Sequence, residues 1–148
     1  MKRVMIALMV ASAILVTGCQ STSGGKLSFN MTQSLSRGAG DAAMTALLDE
    51  GVDAKQARAY VIAISEVIGK GEIDKYTLRT ACYSIAKKLK LTNIGSYIDA
   101  LMLVIPGEIA EYQKIPEQYR TAILSFLDDG AIRALDLYKA EKLSLIHI

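Results

Sequence analysis

The sequence predicts an all-α fold, a small antiparallel bundle of about four to six helices that follows a flexible tether. Three observations support this prediction. Apolar residues recur at intervals of three and four over residues 35–142, the spacing of one face of an α-helix. Aspartates, glycines and prolines interrupt that pattern where helices start and stop. The connections are short, so neighbouring helices should pack mostly antiparallel.

The segment before the bundle has few residues that could form a core. Residues 20–26 are mostly Ser, Thr and Gly, a composition typical of a flexible tether. Leu27, Phe29 and Met31 then alternate with polar residues in a period-2 pattern that has no evident partner strand. We therefore expect residues 19–34 to form a tether and an extended arm, and residues 35–142 to form the helical domain.

The first helix should start within residues 35–41, run to Leu48 and end at Gly51. Asp53 begins the second helix, with Gln56 three residues later as a capping box. This second helix contains an unbroken apolar run, so it should be central and covered on most sides.

Glycines at Gly69 and Gly71 end the second helix, and Asp74 caps a third helix that extends to about Lys90. Lysines are concentrated near its C-terminus, where cations interact favourably with the helix dipole. A solvated face is one interpretation of these lysines, and contact with anionic phospholipid or lipopolysaccharide is the other. The core-facing residues of this helix are Leu78, Cys82, Ile85 and Leu89.

The fourth helix should cover Ile94 to Ile105, with Thr92 or Asn93 as its cap and Pro106 after its end. Successive residues of a helix are rotated by about 100°, so most of its apolar residues share one face. The residues of that face are Ile94, Ile98, Leu101 and Ile105.

Leu103 falls on roughly the opposite side of this fourth helix. Two explanations are open: another helix covers Leu103, or Leu103 belongs to an exposed apolar patch that contacts a partner protein. After Pro116, a last helix should run from Glu117 to Asp128, where Gly130 breaks or bends it before it resumes and extends to Lys142.

The N-terminus has the three parts of a secretory signal over residues 1–18. Lys2 and Arg3 form its positive end, and an uncharged, mostly apolar core runs from Val4 to Val16. That core is shorter than the roughly 18 residues that a membrane-spanning helix needs. We therefore expect the segment to be cleaved.

The junction at the end of that core, residues 15–19, reads Leu-Val-Thr-Gly-Cys. It resembles the lipobox of bacterial lipoproteins. The resemblance implies that the thiol of Cys19 carries a diacylglyceryl group, that cleavage follows Gly18, and that the new amino terminus is acylated as well. Gln20 and Ser21 follow, without the Asp that commonly retains such proteins in the inner membrane, so the outer membrane is the implied destination. The resemblance says nothing about the domain.

Charge and cysteine content limit the functions of the chain further. The 17 basic residues include Lys2 and Arg3, so 15 remain against 15 acidic residues once the signal is removed. This balance argues against a nucleic-acid partner. With Cys19 lipidated, Cys82 has no intramolecular disulfide partner. Its apolar neighbours indicate a buried small residue, with a reactive thiol as the alternative.

The last six residues, 143–148, resemble the translation of a transposase mosaic-end adaptor used in sequencing libraries, so we expect them to be a non-native tail. His147 in that tail is the only histidine of the chain. Without it, mechanisms of the Ser-His-Asp and Cys-His kinds lack a proton carrier. The sequence therefore indicates no catalytic residue, no cofactor and no metal ligand.

Two classes of function remain. The first is a non-catalytic envelope lipoprotein, anchored by acyl chains on Cys19, that binds an envelope protein or stabilises an assembly. Pilotins and the exclusion lipoproteins of phages or plasmids are examples of that class, although no motif beyond the lipobox is shared with them. The second class is a periplasm-facing enzyme or a carrier of apolar ligands, whose site the sequence does not display.

Replacement of the proposed lipid-attachment residue tests the lipobox. The Cys19→Ala chain lacks the thiol that accepts the diacylglyceryl group, so labelling with a clickable fatty acid should be abolished and maturation should stop at the precursor. Labelling and migration on a denaturing gel measure both effects. Normal lipid labelling of Cys19→Ala would contradict the lipoprotein assignment, and Cys82→Ala, which keeps Cys19, should be labelled normally.

Overall fold

Helices make up most of the chain that the structure describes, joined by short turns and by one longer loop over residues 103–116. The computed structural model describes the backbone of residues 25–146 and the side chains of residues 33–144. No strand occurs in this part of the chain, which has one isolated bridge between Asp74 and Lys114. The predicted all-α class is therefore confirmed. No helix within these described residues is long and apolar enough to cross a membrane.

Six α-helical segments and one π-helical segment follow one another. Leu124 and Ile132, at the two junctions of the π segment, both have right-handed helical backbone angles. The last three segments therefore form one continuous helix, and the described chain has five helices in all. The segments are α1 (Gly25–Asp49), α2 (Ala54–Gly69), α3 (Lys75–Lys88), α4 (Gly95–Met102), α5 (Glu117–Leu124), the π segment (Ser125–Ala131) and α6 (Ile132–Ile146).

Helix α1 begins earlier than the sequence pattern indicates. Residues 25–34 belong to α1, so the prediction of an extended arm over Leu27–Met31 is wrong. Leu27 and Met31 are four residues apart, and this spacing also places two residues on one face of a helix. A short alternating run therefore fits both a strand, with a period of 2, and a helix, with a period of about 3.6. In the structure these residues belong to the helix that continues to Asp49.

Two predicted helix starts are confirmed by their caps. The Asp53 carboxylate accepts hydrogen bonds from the amides two and three residues after it, at 2.8 and 3.1 Å. The Asp74 carboxylate accepts one from the Thr77 amide at 2.7 Å, and this bond lowers the pKa of Asp74. The predicted stop is confirmed too: α1 ends just before Gly51, whose φ of +94° is a conformation that glycine tolerates best.

The fourth helix differs from its prediction at both ends. Its first residue is Gly95, and the preceding Ile94 makes no side-chain cap, so the prediction of a Thr92 or Asn93 cap is wrong. Asn93 instead has a φ of +61° in the turn that leads into α4. The helix stops at Met102, and tighter backbone bonds continue the chain to Ile105. Asparagine tolerates this left-handed backbone conformation better than most residues do. Asn93 therefore allows the turn before α4 to form, and it does not cap the helix.

Helix α2 buries one face only. Its buried residues face the core, whereas Ala59 and Ile62 within the apolar run are exposed. The prediction that α2 is covered on most sides is therefore wrong, because an apolar run does not specify which neighbours cover it. The π segment occupies the centre instead, and it packs on α1, α2, α5 and α6. The buried residues of α2 are Ala57, Tyr60, Val61, Ile64 and Ile68.

Helix α1 crosses the π segment at two glycines, Gly40 and Gly130. A β-carbon on Gly40 would collide with the Phe126 carbonyl, with the carbonyl carbon 2.8 Å away. A β-carbon on Gly130 would collide with the Arg37 carbonyl oxygen and would lie 2.9 Å from the Asp41 amide nitrogen. Backbone therefore meets backbone at this crossing, and no side chain can shift to relieve a substitution.

Alanine at these glycines should destabilise the fold. Gly40→Ala and Gly130→Ala each force two helices apart, and we expect a loss of about 3 kcal/mol or more of unfolding free energy, the upper range for an overpacked core. Gly38 is the matched control in the same helix, because nothing lies within 4 Å of a β-carbon there. Gly38→Ala should gain up to about 1 kcal/mol from helix propensity. Urea unfolding measures all three, and equal stabilisation of all three would contradict the close crossing.

Candidate functional site

Cys19 and Leu103 are the two site residues that the sequence predicts, and the structure describes only Leu103. Cys19, the predicted lipid-attachment residue, lies outside the described residues. Leu103 is described, and 37% of its surface is exposed. Its amide donates to the Asp99 carbonyl at 3.1 Å, so Leu103 caps the C-terminal end of α4. The four residues of the predicted core face of this helix are all buried. Leu103 is therefore partly exposed, and this exposure is compatible with both explanations, a covering helix and a contact patch.

Exposed tyrosines lie on the neighbouring helix α3 and on the loop that follows α4. Tyr76 and Tyr83 are seven residues apart on α3, two helical turns, and about half of each side chain is exposed. Tyr112 is 73% exposed, and its ring centroid lies 5.4 Å from that of Tyr76 at an angle of 43°. Rings at this separation attract each other, so the two tyrosines support each other at the surface.

An ion pair joins the two elements that carry these tyrosines. The Arg79 guanidinium of α3 donates to the Glu111 carboxylate, and both side chains are about 40% exposed. This hydrogen bond raises the pKa of Arg79, and the charge of Asp99 acts in the same direction. Asp99 therefore lies near Arg79, one helical turn before Leu103. We call Tyr76, Tyr83, Tyr112 and Leu103 the tyrosine patch.

The loop beneath the tyrosine patch is held by backbone bonds and by apolar anchors. The Tyr76 amide donates to the Glu111 carbonyl at 3.1 Å, and the Ile115 amide donates to the Ile73 carbonyl at 2.8 Å. Ile109 and Ile115 point into the core. The patch therefore has a fixed support, as a recognition surface needs.

The sequence does not predict the tyrosine patch. Tyr112 and Tyr76 are 36 positions apart, and nothing in the sequence pairs them. One signal was available, since Tyr76 and Tyr83 lie on the side of α3 opposite to Leu78 and Cys82. That pattern indicates exposure of two tyrosines without indicating what lies beside them.

A surface groove lies elsewhere, between α1 and the last helix. Its volume is about 550 Å³, it is wide open to solvent, and it is lined by charged residues. Asp128 accepts a hydrogen bond from the Ser65 hydroxyl at 2.7 Å, and Asp136 pairs with Arg58 at 2.5 Å. These carboxylates therefore hold the helices together. Among the described residues, no group of side chains could hold a metal ion.

The core contains a cysteine between two tyrosines. The Tyr60 hydroxyl donates to the Cys82 carbonyl at 3.0 Å, and the Tyr60 and Tyr97 rings meet edge to face at 6.1 Å. Cys82 is fully buried, as predicted, and burial raises the pKa of its thiol to about 11. Burial likewise raises the pKa of Tyr60 and of Tyr97. A protonated, inaccessible thiol is a packing group, and its reactivity is low.

Comparison with protein-family models, with curated proteins and with solved structures finds no match to this chain. The fold and the tyrosine patch are therefore interpreted from their own geometry.

The buried thiol should make stability depend on alkaline pH. The unfolded chain loses the Cys82 proton near pH 9.0, whereas the folded chain keeps it to about pH 11. The contribution to stability is thus complete below pH 9.0 and falls above it, by up to about 1.4 kcal/mol per pH unit. Urea unfolding at several pH values measures this slope.

The matched control is Cys82→Ala, which should have a shallower slope between pH 9.0 and 10.0, below the ordinary tyrosine pKa. Above pH 10.0 both chains should lose stability, because Tyr60 and Tyr97 then ionise when the chain unfolds. Identical slopes in the lower interval would show that the Cys82 thiol ionises equally easily in both states.

Proposed function

We propose that this chain is a non-catalytic lipoprotein of the bacterial envelope that binds another envelope protein through the tyrosine patch. The observation that carries the proposal is the patch itself: three exposed tyrosines beside the Arg79–Glu111 ion pair, and a partly exposed leucine at the end of the neighbouring helix α4. Tyrosine and arginine are enriched among the residues that dominate the energy of protein interfaces. Apolar and aromatic groups that stay exposed on a well-packed domain often mark such contacts.

The rigidity of the patch supports the same proposal. The rings of Tyr76 and Tyr112 are in contact at a tilted angle, and the loop that carries Tyr112 is bonded to the start of α3. A surface that is already ordered loses less conformational entropy when a partner binds. Tyrosine adds large contact area with few rotatable bonds, so a small patch of this kind can bind tightly.

The lipobox-like junction before Cys19 supplies the proposed location. Acyl chains on Cys19 would hold the domain at a membrane, the outer membrane by the residues that follow the cysteine. A pilotin-like escort of a secretion subunit and an exclusion lipoprotein both use an anchored protein that binds another envelope protein. The partner would therefore be an envelope protein that reaches the anchored domain.

Substitutions in the patch should remove the partner without unfolding the domain. Leu103→Asp and Tyr112→Ala change side chains that are already exposed, so unfolding free energy should change by about 0.5 kcal/mol or less. Recovery of the cross-linked envelope partner should fall at least about tenfold, the effect of losing one dominant interface residue. Tagged full-length chains, cross-linked in intact cells and identified by mass spectrometry, give the measurement.

Ile62→Asp is the matched control, because Ile62 is an exposed apolar residue on α2 outside the patch. That variant should keep the partner. Unchanged recovery for both patch variants would refute the proposed surface. A loss of several kcal/mol in Leu103→Asp would show instead that Leu103 is covered in the full protein, because an unpaired carboxylate would then be buried.

A further inference from the structure

The C-terminal end of α3 carries an uncompensated positive charge. Lys87, Lys88 and Lys90 are exposed there, and we call them the lysine cluster. Residues 75–98 contain five basic residues and no acidic one, although the mature chain as a whole is balanced. Arg79 is the only one of the five in an ion pair among the side chains that the structure describes. Of the carboxylates near this helix, Asp74 caps its N-terminus, and Glu111 and Asp99 act on Arg79.

The backbone holds one of these lysines in a costly conformation. Helix α3 ends with a hydrogen bond from the Leu91 amide to the Ala86 carbonyl at 2.9 Å, and Lys90 lies within that turn with a φ of +57°. Glycine or asparagine usually occupies this left-handed position, because a β-carbon is strained there. A lysine at this position adds charge to the cluster at the expense of stability. Helix capping alone would favour glycine.

The side chains around the cluster match a lipid surface better than a protein surface. Tyr83 and Lys87 are one turn apart and both exposed, so an aromatic ring lies next to the ammonium groups. Tyrosine with lysine is the combination found where proteins meet the headgroup region of membranes. Lysine is depleted from protein–protein interfaces, whereas tyrosine is enriched in both settings. The lysines therefore favour a lipid headgroup surface over a protein as the binding partner of the cluster.

We propose that the lysine cluster binds the anionic phospholipid headgroups of the membrane that holds the chain, and so fixes the orientation of the domain. The proposal rests on the proposed acylation of Cys19. Five residues, 20–24, separate Cys19 from α1 and can span at most about 18 Å, so the anchor keeps the domain beside the bilayer. Each lysine at an anionic surface favours the bound orientation about fivefold.

The test compares two membranes that differ in charge only. The full-length lipidated protein is reconstituted into vesicles of phosphatidylcholine, and into vesicles that also contain phosphatidylglycerol. An amine-acetylating reagent then modifies the lysines, and mass spectrometry gives the rate at each position. On the anionic vesicles, Lys87, Lys88 and Lys90 should react at least about threefold more slowly, since contact with headgroups buries their ammonium groups. High salt should restore the rates.

Lys55 and Lys139, exposed on other helices, are internal controls whose rates should be equal on the two membranes. The Lys90→Gly variant distinguishes a loss of membrane binding from a loss of stability. It should melt at a higher temperature, because the strain at φ +57° is removed. It should nevertheless weaken the protection of Lys87 and Lys88, because the cluster has lost one charge. Equal lysine rates on both membranes would overturn the proposal. Protection in native envelopes, but not on anionic vesicles, would also overturn it, in favour of an acidic protein.

The mass of the N-terminal peptide distinguishes a failure of this proposal from a failure of the anchor. A lipidated Cys19 with no charge-dependent protection refutes the lysine cluster alone. An unlipidated Cys19 refutes the anchor alone, and the same chain mixed with preformed vesicles then tests the cluster: slower reaction of its lysines on anionic vesicles supports it, and equal rates refute it.

Discussion

The fold depends on the contact of two helix backbones without side chains between them. Gly40 of α1 and Gly130 of the π segment lie so close that a β-carbon on either would collide with the other helix. Because α1 and the π segment make the most extensive contact in the structure, this crossing determines where the other helices can pack. The wider π turn suits the crossing, since insertion of an extra residue shifts the backbone sideways and lets the helix continue. The last helix therefore neither breaks nor ends at Gly130.

The core built around this crossing is apolar, and its few polar groups serve packing. Tyr60 satisfies its hydroxyl on the Cys82 carbonyl, and Tyr97 packs between Tyr60 and Phe126. The groove between α1 and the last helix is lined by carboxylates that already bind Ser65 and Arg58 across helices. These arrangements explain stability. The tyrosine patch and the lysine cluster lie on the outer side of α3 and on the elements beside it.

The outer side of α3 combines two proposed contacts of different chemistry. The tyrosine patch, supported by the Arg79–Glu111 pair, suits a protein surface, whereas the lysine cluster at the end of the same helix suits anionic headgroups. If the lysines orient the domain on its membrane, they also determine the direction in which the tyrosines face. An envelope protein close to the same bilayer would then meet an ordered surface. The two contacts meet at Tyr83, which belongs to the tyrosine patch and lies one helical turn before Lys87 of the lysine cluster.

Local sequence patterns were enough to predict the all-α class, the caps at Asp53 and Asp74, the burial of Cys82 and the core face of α4. Each of these follows from local periodicity or from a side chain that bonds its own neighbouring amides. Helix α1 before residue 35, the coverage of α2 and the start of α4 were mispredicted, because short apolar patterns fit more than one arrangement. The tyrosine patch was not predicted at all, since Tyr76 and Tyr112 meet only after the chain folds. The tyrosine patch, the coverage of α2 and the crossing at Gly40 and Gly130 become visible only in the folded chain, because each depends on contacts between atoms that are distant in the sequence.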